Sequence, residues 1–385
     1  MTKHFITTTD QLIAFCEQFA NQQMIAIDTE FVRQHTFWPQ ACLMQVAGEH
    51  EVAVIDILSS ELSLDPLIEL LFDQKKIKVF HSARQDLEVF WHLWKRIPSP
   101  IADTQVTAMA CGFGESISYE NLVQKIIGVP LDKSARVSNW LKRPLSVEQI
   151  EYAGNDVLYL LPIHKHLQNL LSQLQRESWI EDFINELVQP QTYIIKPQES
   201  WKKIGLRHIK SKDFFLFKNL CAWREEKAAA IDVPRQHMIS DDHIIKICSR
   251  PSQEMKRMEL YILPQKTSSY KNQLIAEICE IIKKPKKPLE DLPIEFKNSK
   301  NEYLFLVELI KIYMKMKAEN LKIAVRVIGT QQDIENMVFQ PTLPNRLLEG
   351  WRYEMFGADA FKILLGESGL LIKKGMIETF SLQKN

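Results

Sequence analysis

An α/β domain followed by two all-helical modules is the architecture this sequence predicts, on three observations. Short apolar runs alternate with helical patterns through the front of the chain. From about residue 200 the strand patterns fade, and short amphipathic segments broken by Pro and polar clusters take over. The stretch 283-KKPKKPLEDLP-293, rich in Pro and charge, then interrupts the helical part as an interdomain linker would. The division that follows is an α/β domain over 1–190, a helical module over 200–285 and a second over 295–375. A chain of 385 residues is too long for one ordinary core, which agrees.

Taken in order, 24-MIAIDTEF-31, 43-LMQVA-47 and 52-VAVIDI-57 are short, apolar and separated by loop-like segments, so they suit neighbouring antiparallel strands. A helix near 64–73 leads to a strand at 77-IKVFH-81, a helix from about 83 to 94, and helical patterns ending in one long helix near 146–171. No apolar run approaches the roughly 18 residues of a membrane span, and no basic-apolar-small leader opens the chain, which predicts a cytoplasmic protein without membrane contact.

Cys16, Cys42, Cys111, Cys221, Cys248 and Cys279 are scattered, with no C-x-x-C pair and no zinc-type spacing, as buried reduced thiols are. The formal charge is zero, yet residues 1–190 carry 15 Lys/Arg against 24 Asp/Glu and residues 191–300 carry 22 against 14. An acidic front joined to a basic middle suits a metal-binding domain followed by one that faces phosphates; solvated helix faces also give differences of this size.

The chemistry lies in carboxylates. Asp28 and Glu30 stand two apart within an apolar run, and strand side chains alternate, so both point to one face. Two like charges beside a core strand repel unless a cation compensates them, although an isolated D-x-E is commonest at a strand end facing water. In 77-IKVFHSARQDLEVFW-91 a strand delivers His81, and the following helix carries Asp86 among Leu87, Val89, Phe90 and Trp91. In 148-EQIEYAGNDVLYLLPIH-164, Tyr152 and Asp156 are four apart and share a helix face. None of these is informative alone. Their joint order is specific.

That order resembles the DEDD exonuclease superfamily, a ribonuclease-H-like fold, in its tyrosine-bearing branch. The first motif matches at Asp28 and Glu30, the second at Asp86 and the third at Tyr152 and Asp156, whereas the histidine-bearing branch needs His where this sequence has Glu151. The segments 28-DTEFVR-33, 102-ADTQVTAMACGFG-114, 132-DKSARVSNWLKRPLS-146 and 154-GNDVLYLLPIH-164 are similar to the exonuclease domain of ribonuclease D. Further on, 223-WREEKAAAIDVPRQHMISDD-242 resembles an HRDC module and 347-LLEGWRYEMFG-357 the family's closing module. The resemblance spans nearly the whole chain and implies an exonuclease domain followed by two HRDC-like modules.

It further implies a monomeric 3′→5′ exoribonuclease that trims tRNA precursors and other small structured RNAs, releasing nucleoside 5′-monophosphates by two-metal hydrolysis. Asp28 would bridge two divalent cations, Glu30 and Asp156 would complete the nucleophile-side ion, Asp86 would hold the other, and Tyr152 would orient the attacking water. Oxygen donors without soft ligands suit Mg²⁺ or Mn²⁺ better than zinc. Phe31, Gln45 and His81 are candidates to grip the terminal nucleotide, each also explicable as an ordinary core or strand residue. In the loop before residue 146, Arg136, Lys142 and Arg143 are candidate phosphate partners, while Trp140 is expected to pack. Arg207, Lys210, Lys212, Arg224 and Arg235 are candidates to extend an RNA path over the helical module. Two other classes stay open: a DNA-directed exonuclease using the same five residues, since phosphodiester chemistry does not read the 2′-OH, and a non-catalytic RNA-binding protein on an inactive nuclease fold. The intact five-residue set weighs against the last.

Overall fold

The computed structural model describes residues 1–132, 138–263, 267–284, 301–373 and 376–382. They form two contact units: Met1–Glu30, Ala41–Thr192 and Lys300–Asn385 make one, and Phe31–Gln40 with Tyr193–Ser299 the other.

In the first unit, β1 (Thr2–Ile6), β2 (Met24–Val32), β3 (Gln40–Ala47), β4 (Glu51–Ile55), β5 (Ile77–Phe80) and β6 (Ile101–Asp103) form one sheet in the order β1-β4-β3-β2-β5-β6. β3 and β4 are antiparallel, whereas β1 pairs with β4, β2 with β5 and β5 with β6 in parallel. The two edge strands escape the sequence reading: β1 fully buries only Ile6, and β6 is 3 residues long, so neither shows a strand-like apolar pattern. Interspersed are α1 (Thr9–Glu17), α2 (Asp65–Leu71), α3 (Arg84–Trp94), α4 (Thr104–Ala110), α5 (Tyr119–Ile126), α6 (Val147–Leu158), α7 (Leu160–Gln173) and α8 (Glu181–Leu187).

One core layer sets α6 and α7 against the sheet. Ala26, Ala47, Val52 and Val79 from the strands pack with Leu122 and Val123 of α5, Val157 of α6, and Leu160, Ile163 and Leu167 of α7. Each fully buried Leu or Val contributes about 2 kcal/mol, several times an exposed ion pair, so this layer dominates the placement of the two helices. Lys76 and Lys78 are buried as well, each compensated by three carbonyls: those of Phe19, Ala20 and Gln22 for Lys76, and of Asp73, Lys76 and Ser99 for Lys78.

The single helix expected near 146–171 is two helices, and the cause lies far away in sequence. The Tyr119 hydroxyl donates to the Asn155 carbonyl at 3.0 Å and accepts the Tyr159 N–H at 3.0 Å. An unbroken α-helix would join that same N–H and carbonyl directly. An oxygen inserted between them opens the ladder, and Tyr159 (φ −107, ψ 3) becomes the joint between α6 and α7.

The first unit also contains the C-terminal helices, including Asn301–Leu321, Gln331–Phe339 and Ala358–Leu364. Arg176 donates to the carbonyls of Ala110 (2.8 Å) and Leu321 (2.7 Å), the Ala324 N–H donates to Met109, and the Trp179 and Trp351 rings stack at 4.3 Å. Strands return near the end of the chain, contrary to the sequence reading: β7 (Ser368–Lys373) and β8 (Met376–Ser381) form an antiparallel pair. None of their described apolar residues is fully buried, so no buried run signals them. Most of the linker 283-KKPKKPLEDLP-293 lies outside the described residues.

The second unit is built on the helix Phe214–Ala230, whose Phe214, Phe217, Leu220, Cys221 and Trp223 share a core with Trp201, Met238, Ile244, Ile247, Leu274 and Ile278. Phe37 belongs to that core. The Asp232 carboxylate accepts the N–H groups of Phe37 (2.9 Å) and Trp38 (3.0 Å), and the Arg235 guanidinium lies over the Phe37 ring at 4.3 Å.

Candidate active site

Alternation along β2 brings Asp28 and Glu30 to one face, and α3 brings Asp86 in its first turn. The start of α3 is fixed by a residue that the sequence reading did not single out. The Asp103 carboxylate accepts from the N–H groups of Ser82 (3.0 Å) and Ala83 (2.8 Å), and also caps α4 through Gln105 (2.8 Å) and Val106 (3.3 Å). Ser82 adopts a left-handed φ of 63, so the chain turns sharply from β5 into α3. Asp86 then meets β2, where the Thr29 hydroxyl donates to its carboxylate at 2.5 Å. An Asp-Thr pair opening a helical run is a cap signal that could have pointed to Asp103; nothing local marks Thr29.

The third contribution comes from α6, which opens with a Ser146–Gln149 capping box and carries Tyr152 and Asp156 one turn apart. Lys3 of β1 steadies the helix, donating to Glu151 and to the Asn155 side chain. Asp86 is buried, while Asp28, Glu30, Tyr152 and Asp156 are half-buried.

The five groups feel one another. Burial, then repulsion from Asp86, Asp156 and Glu30, holds the Asp28 carboxyl well above the usual range. Burial, then Asp156 and Asp86, pushes Glu30 up to about 9. Burial pushes Asp86 up to about 7 against the opposing hydrogen bond from Thr29. Burial and the charges of Asp156, Glu30 and Asp28 also raise Tyr152, which keeps its phenol protonated. Among the described residues no three or more His, Cys, Asp or Glu side chains are gathered as a group that could already hold an ion. The repulsions nevertheless place the four carboxylates within Coulomb range. An open set of hard, mutually repelling oxygens, unable to ionise together without compensation, fits divalent cations whose remaining positions are filled by water or phosphate.

The remaining candidates divide. Gln45 is fully buried, and its amide nitrogen and oxygen have no hydrogen-bond partner among the described residues. It lies two residues from Ala47 on β3 as Asp28 lies two from Ala26 on β2, and both alanines face the same core layer, so Gln45 and Asp28 share a sheet face. His81 has a partner at each ring nitrogen, Thr104 at 2.9 Å and the Ile117 carbonyl at 3.0 Å, and burial lowers its pKa. Phe31 is half-buried beside Glu30, on the opposite face of β2, and is counted in the second unit.

Arg143 is a correction. Its guanidinium pairs with both Asp56 oxygens at 2.6 Å and donates to the carbonyls of Trp140, Lys142 and Cys42, which leaves no donor for a phosphate. Arg136 lies outside the described residues, and Lys142 is exposed. Trp140 is buried, with its ring 6.1 Å from that of Tyr152. On the helical unit, Arg224 is also corrected: it is buried against Asp241 and the Ile239 carbonyl, and so cannot lie on an RNA path. Arg235 pairs with Glu225, whereas Arg207, Lys210 and Lys212 are exposed.

With this geometry established, known proteins supply a comparison. Residues 3–172 match a family model described as a 3′-5′ exonuclease, and residues 213–278 match the HRDC domain. The chain is 37% identical to a ribonuclease D of Bartonella henselae, covering 99% of this chain and 95% of that one. It is 34% identical to a ribonuclease D of Sphingobium indicum, covering 97% of each. The crystal structure of Escherichia coli RNase D, an exoribonuclease involved in structured RNA processing, matches with a TM-score of 0.78 at 26% identity over 95% of this chain and 99% of that one. The catalytic core of RRP6 from Trypanosoma brucei shares the fold, with a TM-score of 0.57 at 19% identity over 73% of this chain and 79% of that one.

Proposed function

Because this chain belongs to the ribonuclease D family and is a 3′→5′ exoribonuclease, we propose that it trims the 3′ ends of tRNA precursors and other small structured RNAs, releasing nucleoside 5′-monophosphates by two-metal hydrolysis. DEDD exonucleases depend on divalent metal, and the donor set here suits Mg²⁺ or Mn²⁺. One observation carries the reading: β2, the first turn of α3 and α6 converge to bring Asp28, Glu30, Asp86 and Asp156 close enough for their charges to repel, a condition that bound cations would relieve.

Asp28 would bridge two ions, with Glu30 and Asp156 on the nucleophile side and Asp86 on the other. Bound cations supply Lewis acidity at the scissile phosphate and favour ionisation of the attacking water. Tyr152 holds and orients that water through its protonated hydroxyl. Asp103 and Thr29 keep Asp86 aimed at β2. Gln45, Phe31 and His81 are candidates to contact the terminal nucleotide, and Arg136 and Lys142 remain candidates for its phosphates. Arg207, Lys210 and Lys212 offer an exposed basic surface for RNA on the helical unit.

The functional division we propose is 1–190, 200–285 and 295–375, supported in the middle by the HRDC match, whereas by contacts Phe31–Gln40 goes with the helical middle and Lys300–Asn385 with the α/β part. The enzyme is proposed to act as a monomer. No helix among the described residues is long and apolar enough to cross a membrane, and a cytoplasmic location is part of the proposal. The test uses 5′-labelled RNA and matched DNA with Mg²⁺, Mn²⁺ or chelator. A ladder shortening from the 3′ end on RNA, lost with chelator, is expected. Equal cleavage of DNA, or cleavage in chelator, would refute the substrate or the metal assignment respectively.

A further inference from the structure

We propose that Tyr119 is a positioning residue for the exonuclease reaction, its hydroxyl fixing the rotational setting at which α6 presents Tyr152 and Asp156 to Asp28. This rests on the carboxylate reading above. The Tyr119 oxygen sits between the Asn155 carbonyl and the Tyr159 N–H, both at 3.0 Å, so it grips α6 on either side of Asp156. Its single proton is committed to Asn155, so Tyr119 acts through the helix and not on the substrate.

Nothing in the grip is loose. The Tyr119 ring is buried in the core layer with Val157 and Leu160, and α5, which it opens, is capped by Ser118. The ring centroid of His81 lies 5.8 Å away, and His81 is itself held by Thr104 and by the Ile117 carbonyl, two residues before Tyr119. Asn155 is held a second time from the edge strand β1, where Lys3 donates to its side chain at 3.1 Å. Without the phenolic oxygen, the Tyr159 N–H and the Asn155 carbonyl are free to bond to each other. The break would then close, and the turn carrying Asp156 would rotate.

Tyr119→Phe in the full chain tests this by calorimetric Mn²⁺ titration without RNA, single-turnover cleavage, KM and melting in EDTA. Supporting groups behind metal ligands commonly change affinity or rate by about 10–100-fold. We therefore expect Mn²⁺ affinity and cleavage rate each to fall roughly tenfold with KM little changed. Wild-type Mn²⁺ affinity and rate in Tyr119→Phe overturn the proposal, even if the melting temperature drops, because a merely structural phenol moves only stability. If Tyr119→Phe fails to fold, Lys3→Met, which releases the other hold on Asn155, decides: weaker Mn²⁺ binding supports the proposal and unchanged binding overturns it. A wild-type chain that binds no Mn²⁺ would instead overturn the carboxylate reading, and this inference with it.

Discussion

Replacing Glu30 by Gln should stabilise the metal-free protein at alkaline pH while abolishing cleavage. Burial and the negative neighbours raise Glu30 from 4.5 to about 9, so between those values the folded protein holds a proton that the unfolded chain has released. Stability from this site is therefore intact below about 4.5 and declines as pH rises toward about 9. At pH 8.5, about 1.4 kcal/mol per pH unit sets an upper bound near 5 kcal/mol, and screening in a half-open site reduces the expected gain to about 2 kcal/mol. That corresponds to a melting temperature higher by roughly 2–4 °C. Melting wild type and Glu30→Gln in EDTA should show this gap at pH 8.5 and almost none at pH 5. Mn²⁺ should shrink or reverse the gap, because it stabilises the form whose ligands are intact. Equal melting in EDTA at pH 8.5, or a gap of the same size at pH 5, would refute the electrostatic argument.

Asp28→Asn should lose cleavage but keep RNA binding and bind Mn²⁺ more weakly by calorimetry; near-normal cleavage would remove Asp28 from the centre. Tyr152→Phe preserves the ring and all four carboxylates, so single-turnover cleavage should fall about a hundredfold or more while RNA affinity and Mn²⁺ binding persist. A fully active variant would require another group to orient the water. Arg143→Ala should cost about 3 kcal/mol in denaturant unfolding, because it strands the buried Asp56 carboxylate, with KM for short RNA unchanged. Normal stability with a raised KM would restore the phosphate role that the geometry withholds.

Periodicity alone put Asp28 and Glu30 on one face of a strand, and the order of motifs gathered Asp86, Tyr152 and Asp156 with them. These features were legible because each is local to one element. The break at Tyr159 was not, since it depends on a hydroxyl 40 residues away in sequence. Arg143 and Arg224 misled for a related reason: a guanidinium looks the same in sequence whether it faces solvent or a buried carboxylate. Thr29 and Asp103 had no role in the sequence reading, and only the folded chain shows them bracketing Asp86. The β7–β8 pair did carry a signal, a glycine between two apolar runs, but it was lost amid helical patterns.

The membership of Phe31–Gln40 in the helical unit limits how this protein can be recombined. The strand bearing Asp28 and Glu30 runs directly into a segment whose Phe37 fills that unit's core and whose backbone satisfies Asp232. The helical unit is thus not a contiguous cassette. A chimera that exchanged Tyr193–Ser299 alone for a foreign domain would strip Phe37 of its cavity and leave two backbone donors without acceptors, immediately downstream of the strand that bears Asp28 and Glu30. A graft that respects the fold must carry two pieces of sequence, one cut from the middle of the nuclease.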